Sequence, residues 1–263
     1  MSKRTFVISG SGSGIGKATV IKVAERGDRV IGVDLSDADV VADLSDPSAR
    51  ATLGECVRSL APDGVDGVIA VAGGPADVNY FGAVELLEQV RPLLAASAAP
   101  RAVVVSSFAG LRQVDDRLVD AYLARDQDAV SSESERIIRE GQGVLLYSSS
   151  KRAVLRWVRR SAPTPDWAGA GIALNAITPG VIRTPMTEPY LATAEGRDSL
   201  LSMVPMPLNG PAEPLVVADL LCWLVSEENS HVTGQVISID GGADVVTRGD
   251  DIFSRNEGTE GWQ

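Results

Sequence analysis

Tyr147-Ser148-Ser149-Ser150-Lys151 sets a phenol and an ammonium four residues apart, the pair in this sequence best suited to moving a proton near neutral pH. On a helix that spacing puts both side chains on one face. A free tyrosine titrates near about 10, and a fixed positive charge beside it favours the phenolate, so the expected effect of Lys151 is to lower the Tyr147 pKa toward the catalytic range. A second constellation has different chemistry. The apolar run Thr5-Phe6-Val7-Ile8 leads into Ser9-Gly10-Ser11-Gly12-Ser13-Gly14-Ile15-Gly16 and then into a helix-like stretch from Lys17 to Arg26. Strand, glycine turn and helix in that order bring backbone amides, and the unpaired N–H groups of a first helical turn, up to a pyrophosphate. Asp34 ends the next apolar strand, Arg29 to Val33, where a carboxylate can accept from adenosine ribose hydroxyls. No Arg or Lys follows in Leu35-Ser36, and Ser13 rather than a basic residue precedes Gly14, so the pattern favours NAD over NADP.

These groups need a scaffold, and the rest of the chain supplies its pattern. Strands are expected near 5–9, 29–34, 39–42, 66–71, 101–106, 171–177 and 235–239, with helices between most of them, as in an α/β doubly wound parallel sheet. Strands ending in Val71, Ser106 and Ile177 deliver Ala72-Gly73-Gly74, Ser106-Ser107 and Thr178-Pro179-Gly180 to the sheet edge where ligands bind. The 263 residues, 44% hydrophobic and 22% charged, suffice for one large domain. A net charge of −11 argues against a nucleic-acid or anionic-membrane partner. The apolar run after Lys3-Arg4 is too short for a signal peptide, and no segment approaches the ~18 apolar residues of a membrane span. Cys56 and Cys222 lack metal-ligand spacing and read as reduced thiols of a soluble, cytoplasmic protein, with no metal site expected. Arg152, Arg156, Arg159 and Arg160 read as a solvated helix face, and His231, the single histidine, as a capping or surface residue.

Taken together, these residues resemble the short-chain dehydrogenase/reductase family over nearly the whole chain. The matching pieces are Gly10-x-x-x-Gly14-x-Gly16, Asp34, Asp43-Leu44, Ala72-Gly73, Asn79, Ser107, Tyr147-x-x-x-Lys151, Pro179-Gly180 with Thr184, and Ile239-Asp240-Gly241-Gly242. Within the family, Val78-Asn79-Tyr80-Phe81-Gly82-Ala83 and a long insertion before the tyrosine look most like the bacterial 3α-hydroxysteroid dehydrogenase/carbonyl reductase type. The resemblance implies a single Rossmann-type domain of about seven strands over residues 1–247. It implies NAD bound by Gly10, Ser13, Gly14, Ile15, Gly16, Asp34, Leu35, Asp43, Leu44, Ala72, Gly73, Gly74, Tyr147, Lys151, Pro179, Gly180, Ile182 and Thr184. It also implies a tetrad. Tyr147 would exchange a proton with the substrate oxygen, Ser107 would hold that oxygen, Lys151 would lower the tyrosine pKa and bind the nicotinamide ribose, and Asn79 would orient a water leading to solvent. The alternative class is a dinucleotide-binding regulatory or scaffold protein of the same fold that has lost the reaction.

Two departures from the family pattern bear on substrate and assembly. Only six residues separate Ala72 from Asn79, and Val71 stands where the family usually has Asn. The stretch between Ser107 and Tyr147 is much longer than usual. Leu111, Val114, Leu118 and Tyr122, then Val130, Ser134, Ile137 and Ile138, recur at helical spacing and predict two amphipathic helices across about 111–143. They are either a lid over substrate or a packing extension that alters subunit contacts, with the extension favoured. Relatives commonly pair through the helices bearing Asn79 and Tyr147, and an extension joined directly to the second would block or remodel that contact, so a homodimer is expected in place of the usual tetramer. The substrate, an apolar secondary alcohol or ketone of alicyclic or steroid-like type, is expected against Pro185, Met186, Tyr190, Met203 and Met206 in a loop of about 181–214 that is part of a stretch holding half of the 14 prolines. Residues 248–263 form a polar, acidic tail carrying Ile252, Phe253 and Trp262.

Overall fold

Seven strands, β1 (Thr5–Ser9), β2 (Arg29–Asp34), β3 (Val40–Val41), β4 (Gly67–Ala70), β5 (Arg101–Val105), β6 (Ala173–Pro179) and β7 (Val236–Ile239), form one sheet in the computed structural model, which describes residues 3–252. The order is β3-β2-β1-β4-β5-β6-β7 and every pairing is parallel. The chain reverses direction across the sheet between β1 and β4, and an open parallel sheet binds ligands at such a switch point, beyond the carboxyl ends of its strands. Strand side chains alternate between faces, and the core divides accordingly. Phe6, Ile8, Ile69, Val103 and Ile177 pack with Val23 of α1 (Gly14–Glu25) and with Val217 and Leu221 of α10 (Pro214–Leu224). Val7, Val33, Val68, Val104 and Ala176 face the opposite layer. That layer comprises α2 (Pro47–Ala51), α3 (Leu53–Leu60), α4 (Ala83–Val90) and α7 (Val144–Ser161). Burial on both faces explains why the strands are short continuous apolar runs, each within about two residues of its expected span.

The insertion folds as the two expected helices, α5 (Asp116–Ala124) and α6 (Gln127–Arg139). Asp115 caps the first by accepting from Leu118 N (3.0 Å), and Asp126 caps the second by accepting from Ala129 N (2.9 Å). Arg136 Nη2 on α6 reaches Asp115 Oδ2 at 2.6 Å and closes the hairpin. Its apolar face, Leu118, Tyr122, Val130 and Ile137, is buried, while Ile138, expected there, is exposed. Tyr122 stacks 5.1 Å from Tyr80 and 5.6 Å from Phe81, and α5 packs along α7, so the hairpin sits on the outer layer. None of the α5 or α6 residues lines the ligand cleft, which leaves the lid reading without support.

The helix bearing Asn79 is three pieces: a π-helical turn at Val78–Gly82, α4, and a 3₁₀ turn at Arg91–Ala96. Beyond the sheet edge lie α8 (Glu188–Leu191), α9 (Ala194–Met203) and α11 (Ala243–Arg248). Cys56 and Cys222 are free thiols, and His231 Nδ1 meets Ser230 Oγ on the exposed surface. Arg159 and Arg160 are exposed, as a solvated face requires, but the reading is incomplete. Arg152 donates to the carbonyls of Gly110 and Arg112, Arg156 pairs with Asp120 at 3.0 Å, and Arg159 donates to Gly234 O, so these three anchor α7 to its neighbours. Among the described residues no helix is long and apolar enough to cross a membrane, and no cluster of His, Cys, Asp or Glu is arranged to hold a metal. Phe253 and Trp262 lie outside the described residues.

Candidate active site

A cleft of about 1090 Å³ runs along the carboxyl edge of the sheet. At its β1 end the glycine loop turns tightly. Gly10 adopts φ +68°, and a Cβ on Gly16 would fall 1.9 Å from Gly10 O, so only glycine lets α1 start against the loop. Ser13 begins α1 with no side-chain cap, and no acidic residue occupies the first turn. The N–H groups of that turn, on Gly14, Ile15 and Gly16, therefore reach the cleft unopposed, the donor set that suits an anion. Asp34 at the end of β2 accepts from Gly12 N (2.8 Å) through Oδ2 and from Leu35 N (2.7 Å) through Oδ1. Each oxygen keeps a lone pair for a further donor. Next to it, Ser45 donates both N–H and Oγ–H to Asp43 Oδ1 and thereby lowers the Asp43 pKa. Buried Arg50 braces this turn by donating to Leu44 O and Ser45 O while paired to Glu85 at 2.8 Å.

Gly10, Ser13, Gly14, Ile15, Gly16, Asp34, Leu35, Asp43, Leu44, Ala72, Gly73, Pro179, Gly180, Ile182 and Thr184 all line the cleft, as do Ser107, Tyr147 and Lys151. Gly74 does not. It is half-buried, its N–H and carbonyl both bonded to Asn79. Val71, in the place of the family's usual Asn, is held by Ser9: the buried Ser9 Oγ accepts from Val71 N and Ala72 N, each at 3.1 Å. Ser9 was invisible as a functional residue in the sequence, where it reads as the last strand position before the loop.

Helix α7 carries the proton-handling face, and the three serines inside the motif anchor it. Ser148 Oγ donates to Gln113 O at 2.8 Å, Ser149 Oγ accepts from Asp115 N at 2.9 Å, and Ser150 Oγ accepts from Asn79 Nδ2 at 3.2 Å. All three are buried, and together they tie α7 to the stretch Gln113–Asp115 and to Asn79. Lys151 is fixed as well. Its Nζ donates to Val105 O at 3.3 Å and lies 5.8 Å from the Tyr147 ring centroid, and its carbonyl accepts from Ser106 Oγ at 2.9 Å.

The electrostatics differ from the simple expectation that Lys151 lowers Tyr147. Burial, which penalises either charged form, pushes the phenol up and the ammonium down to about 8. The opposing influence on Tyr147 comes from the Ser107 hydroxyl, whose hydrogen bond favours the phenolate. With a pKa of about 8, Lys151 remains predominantly protonated at pH 7, so the site keeps its positive charge. Asn79 is buried behind the wall. Oδ1 accepts from Gly74 N (3.1 Å), and both Nδ2 protons are committed, to Gly74 O and Ser150 Oγ. Its bonds pin the shortened turn to α7, and no donor is left over for the expected water.

At the other end of the cleft stand Pro185, Met186, Tyr190 and Met203. Met206, also expected there, lies behind them. It is buried with Phe108, Val181 and Ala243, and its Sδ accepts from Val181 N at 3.1 Å. A Cβ on Gly180 would come within 3.0 Å of that sulfur, so Met206 packs under the turn and not in the pocket. Arg112 and Phe108 join this end of the lining, neither of them singled out by motif or spacing.

Comparison with known proteins places these features in context. The family model described as enoyl-(acyl carrier protein) reductase matches residues 117–244. The 3-alpha-hydroxysteroid dehydrogenase/carbonyl reductase of Comamonas testosteroni is 36% identical over 254 residues, covering 92% of this chain and 97% of the relative. The crystal structure of the 3-alpha-hydroxysteroid dehydrogenase from Pseudomonas sp. B-0831, complexed with NADH, is 34% identical with a TM-score of 0.83, covering 94% of this chain and 99% of that one.

Proposed function

The chain belongs to the short-chain dehydrogenase/reductase family and is an oxidoreductase of alcohols and ketones, and from that premise we propose that it uses NAD to interconvert an apolar, alicyclic or steroid-like secondary alcohol and its ketone. The observation that carries the reading is a single cleft lined by the uncapped start of α1, by Asp34, and by the Ser107, Tyr147 and Lys151 side chains. The residues present fit a dinucleotide. The α1 amides suit a pyrophosphate, the free lone pairs of Asp34 suit ribose hydroxyls, and a 2′-phosphate would face that carboxylate with no Arg or Lys of the lining beside it. NADH in the Pseudomonas structure, and the steroid alcohol named for both relatives, support the choice of cofactor and substrate class.

When bound, NAD would accept the hydride from the alcohol carbon. Tyr147 would take the hydroxyl proton onto its phenolate oxygen, and in reduction return it to the carbonyl oxygen. Ser107 would donate to that same oxygen, a contact that strengthens as negative charge develops on it. Lys151 would hold positive charge beneath the tyrosine ring and bind the nicotinamide ribose. Asn79 and the three serines would keep α7 in register with the strand ends. For assembly, the α5–α6 hairpin over the outer layer of α4 and α7 supports a homodimer over a tetramer.

The test is NADH formation by wild type and Tyr147→Phe across a panel of secondary alcohols, steroids included, with NADP run alongside. The expected result is NAD-dependent turnover that falls about 10²- to 10⁴-fold in the variant while NADH binding is retained. Tight NAD binding without turnover anywhere in the panel would identify a nucleotide-binding protein that does not catalyse.

A further inference from the structure

Charge is distributed unevenly along the cleft. Its lining carboxylates, Asp34 and Asp43, both lie at the exits of β2 and β3, where the nucleotide is assigned. The substrate end, with Phe108, Met186, Tyr190 and Met203, is largely apolar, with uncharged polar residues such as Gln113 and Thr187 and one charged residue, Arg112. Its backbone is anchored on both sides: Arg112 N donates to Ala109 O at 3.1 Å, and Arg152 Nη2 donates to Arg112 O at 3.0 Å. The side chain extends over the Phe108 ring, 5.9 Å from its centroid, and Nη1 donates to the carbonyl of Met203 at the end of α9. Among the described residues it makes no ion pair, in a chain with 35 acidic residues. A guanidinium carries five N–H donors in a planar fork, and one carbonyl uses one of them without cancelling the charge. A carboxylate takes two in parallel and neutralises it.

We propose that Arg112 is a specificity-determining residue that receives an anionic group, a carboxylate, at the end of the substrate remote from the reacting carbon. The substrate class then narrows from an apolar alcohol to an amphipathic one: an alicyclic body against Phe108, Met186 and Tyr190, with the acid paired to Arg112. The inference rests on the alcohol dehydrogenase reading of the same cleft. Arg112 is exposed, so a neutral substrate laid along it would strip water from the guanidinium and return no partner, whereas an acid would replace that water with a paired contact.

The test uses alicyclic secondary alcohols bearing a carboxylate, each set against its own methyl ester, with wild type, Arg112→Leu, Arg112→Lys and, as a remote charge control on α3, Arg58→Leu. Ester turnover by wild type tests the dehydrogenase reading by itself. For the proposal, the quantity read is the ratio of kcat/KM for acid over ester. It is expected at about 10- to 100-fold in wild type and Arg58→Leu, near unity in Arg112→Leu, and partly restored in Arg112→Lys, with the change lying in KM. Equal losses for acid and ester in Arg112→Leu would make Arg112 a tether of α9 only and overturn the proposal, as would a wild-type ratio near unity. Should no pair turn over, thermal shift in the presence of NADH decides. Stabilisation by the acids that is absent in Arg112→Leu supports the proposal, and equal shifts in both proteins overturn it.

Discussion

The two walls of the cleft are built on opposite principles. On the α7 wall, Ser148, Ser149, Ser150 and Lys151 are buried, and they are hydrogen-bonded to the stretch Gln113–Asp115, the π turn and the end of β5. On the facing wall, neither α8 nor α9 contains a buried residue, and Met186, Tyr190 and Met203 are more than half exposed. The contrast follows from what each wall must do. Proton transfer demands atoms held within a few tenths of an ångström, so the groups that perform it are over-determined by the packing around them. Enclosing a substrate demands only apolar surface able to adjust, and a segment with few buried contacts opens at low free-energy cost.

The difference is tested most severely at Ser107, the hydroxyl of the rigid wall proposed to face the reacting oxygen. Ser107→Ala removes the donor to that oxygen and also the hydrogen bond that lowers Tyr147. The expected loss in kcat is about 10²- to 10³-fold. Because burial alone then acts on the phenol, the pH at which alcohol oxidation reaches half its maximum moves upward. A pH–rate profile that drops uniformly without shifting would mean that Ser107 contributes nothing to the Tyr147 titration.

A smaller effect tests the energetic cost of the rigid wall. Lys151 titrates at about 8 in the folded protein against 10.5 ordinarily, because burial disfavours the ammonium. Between those values the unfolded chain binds more protons than the folded one, so this residue makes stability rise with pH. From pH 8 to 9.5 the gain is up to about 2 kcal/mol. Lys151→Met abolishes it. The difference in thermal midpoint between wild type and variant, followed across that window, should therefore change steadily in favour of wild type. A constant difference would place the Lys151 ammonium in a solvated setting and remove the contrast between the walls.

The same contrast explains which features were legible in the sequence. Strands buried on both faces appear as apolar runs, so all seven were readable. Gly10, Gly14 and Gly16 have a backbone requirement that their type announces, and Asp34, Ser107, Tyr147 and Lys151 sit at strand ends or on a helix face that periodicity locates. What stayed hidden depends on tertiary approach. A serine hydroxyl has the same sequence signature whether it meets solvent or Gln113 O, so the pinning by Ser148, Ser149 and Ser150, and the bridging by Ser9, could not be read. The π turn at Val78–Gly82 interrupts a stretch whose residue types do not distinguish it from regular helix. Met186 and Met206 are alike in type and neighbourhood, yet one is 56% exposed and lines the cleft while the other is 8% exposed and packs behind Gly180. Only the path of the chain separates them.

The smallest expected effect lies on the adaptable wall. Met186→Ala deletes side-chain surface that lines the cleft, is proposed to contact substrate and packs on little else, because the residue is 56% exposed. Global stability should stay within about 0.5 kcal/mol of wild type. A bulky alicyclic substrate loses part of its apolar contact, which corresponds to a few-fold to about 10-fold rise in KM with kcat held. A short-chain alcohol that does not reach α8 serves as the internal comparison and should lose less. The split between KM and kcat is the decisive part. If kcat fell with KM, the facing wall would be aligning the reacting carbon as well as covering it, and positioning would have to be assigned to both sides of the cleft.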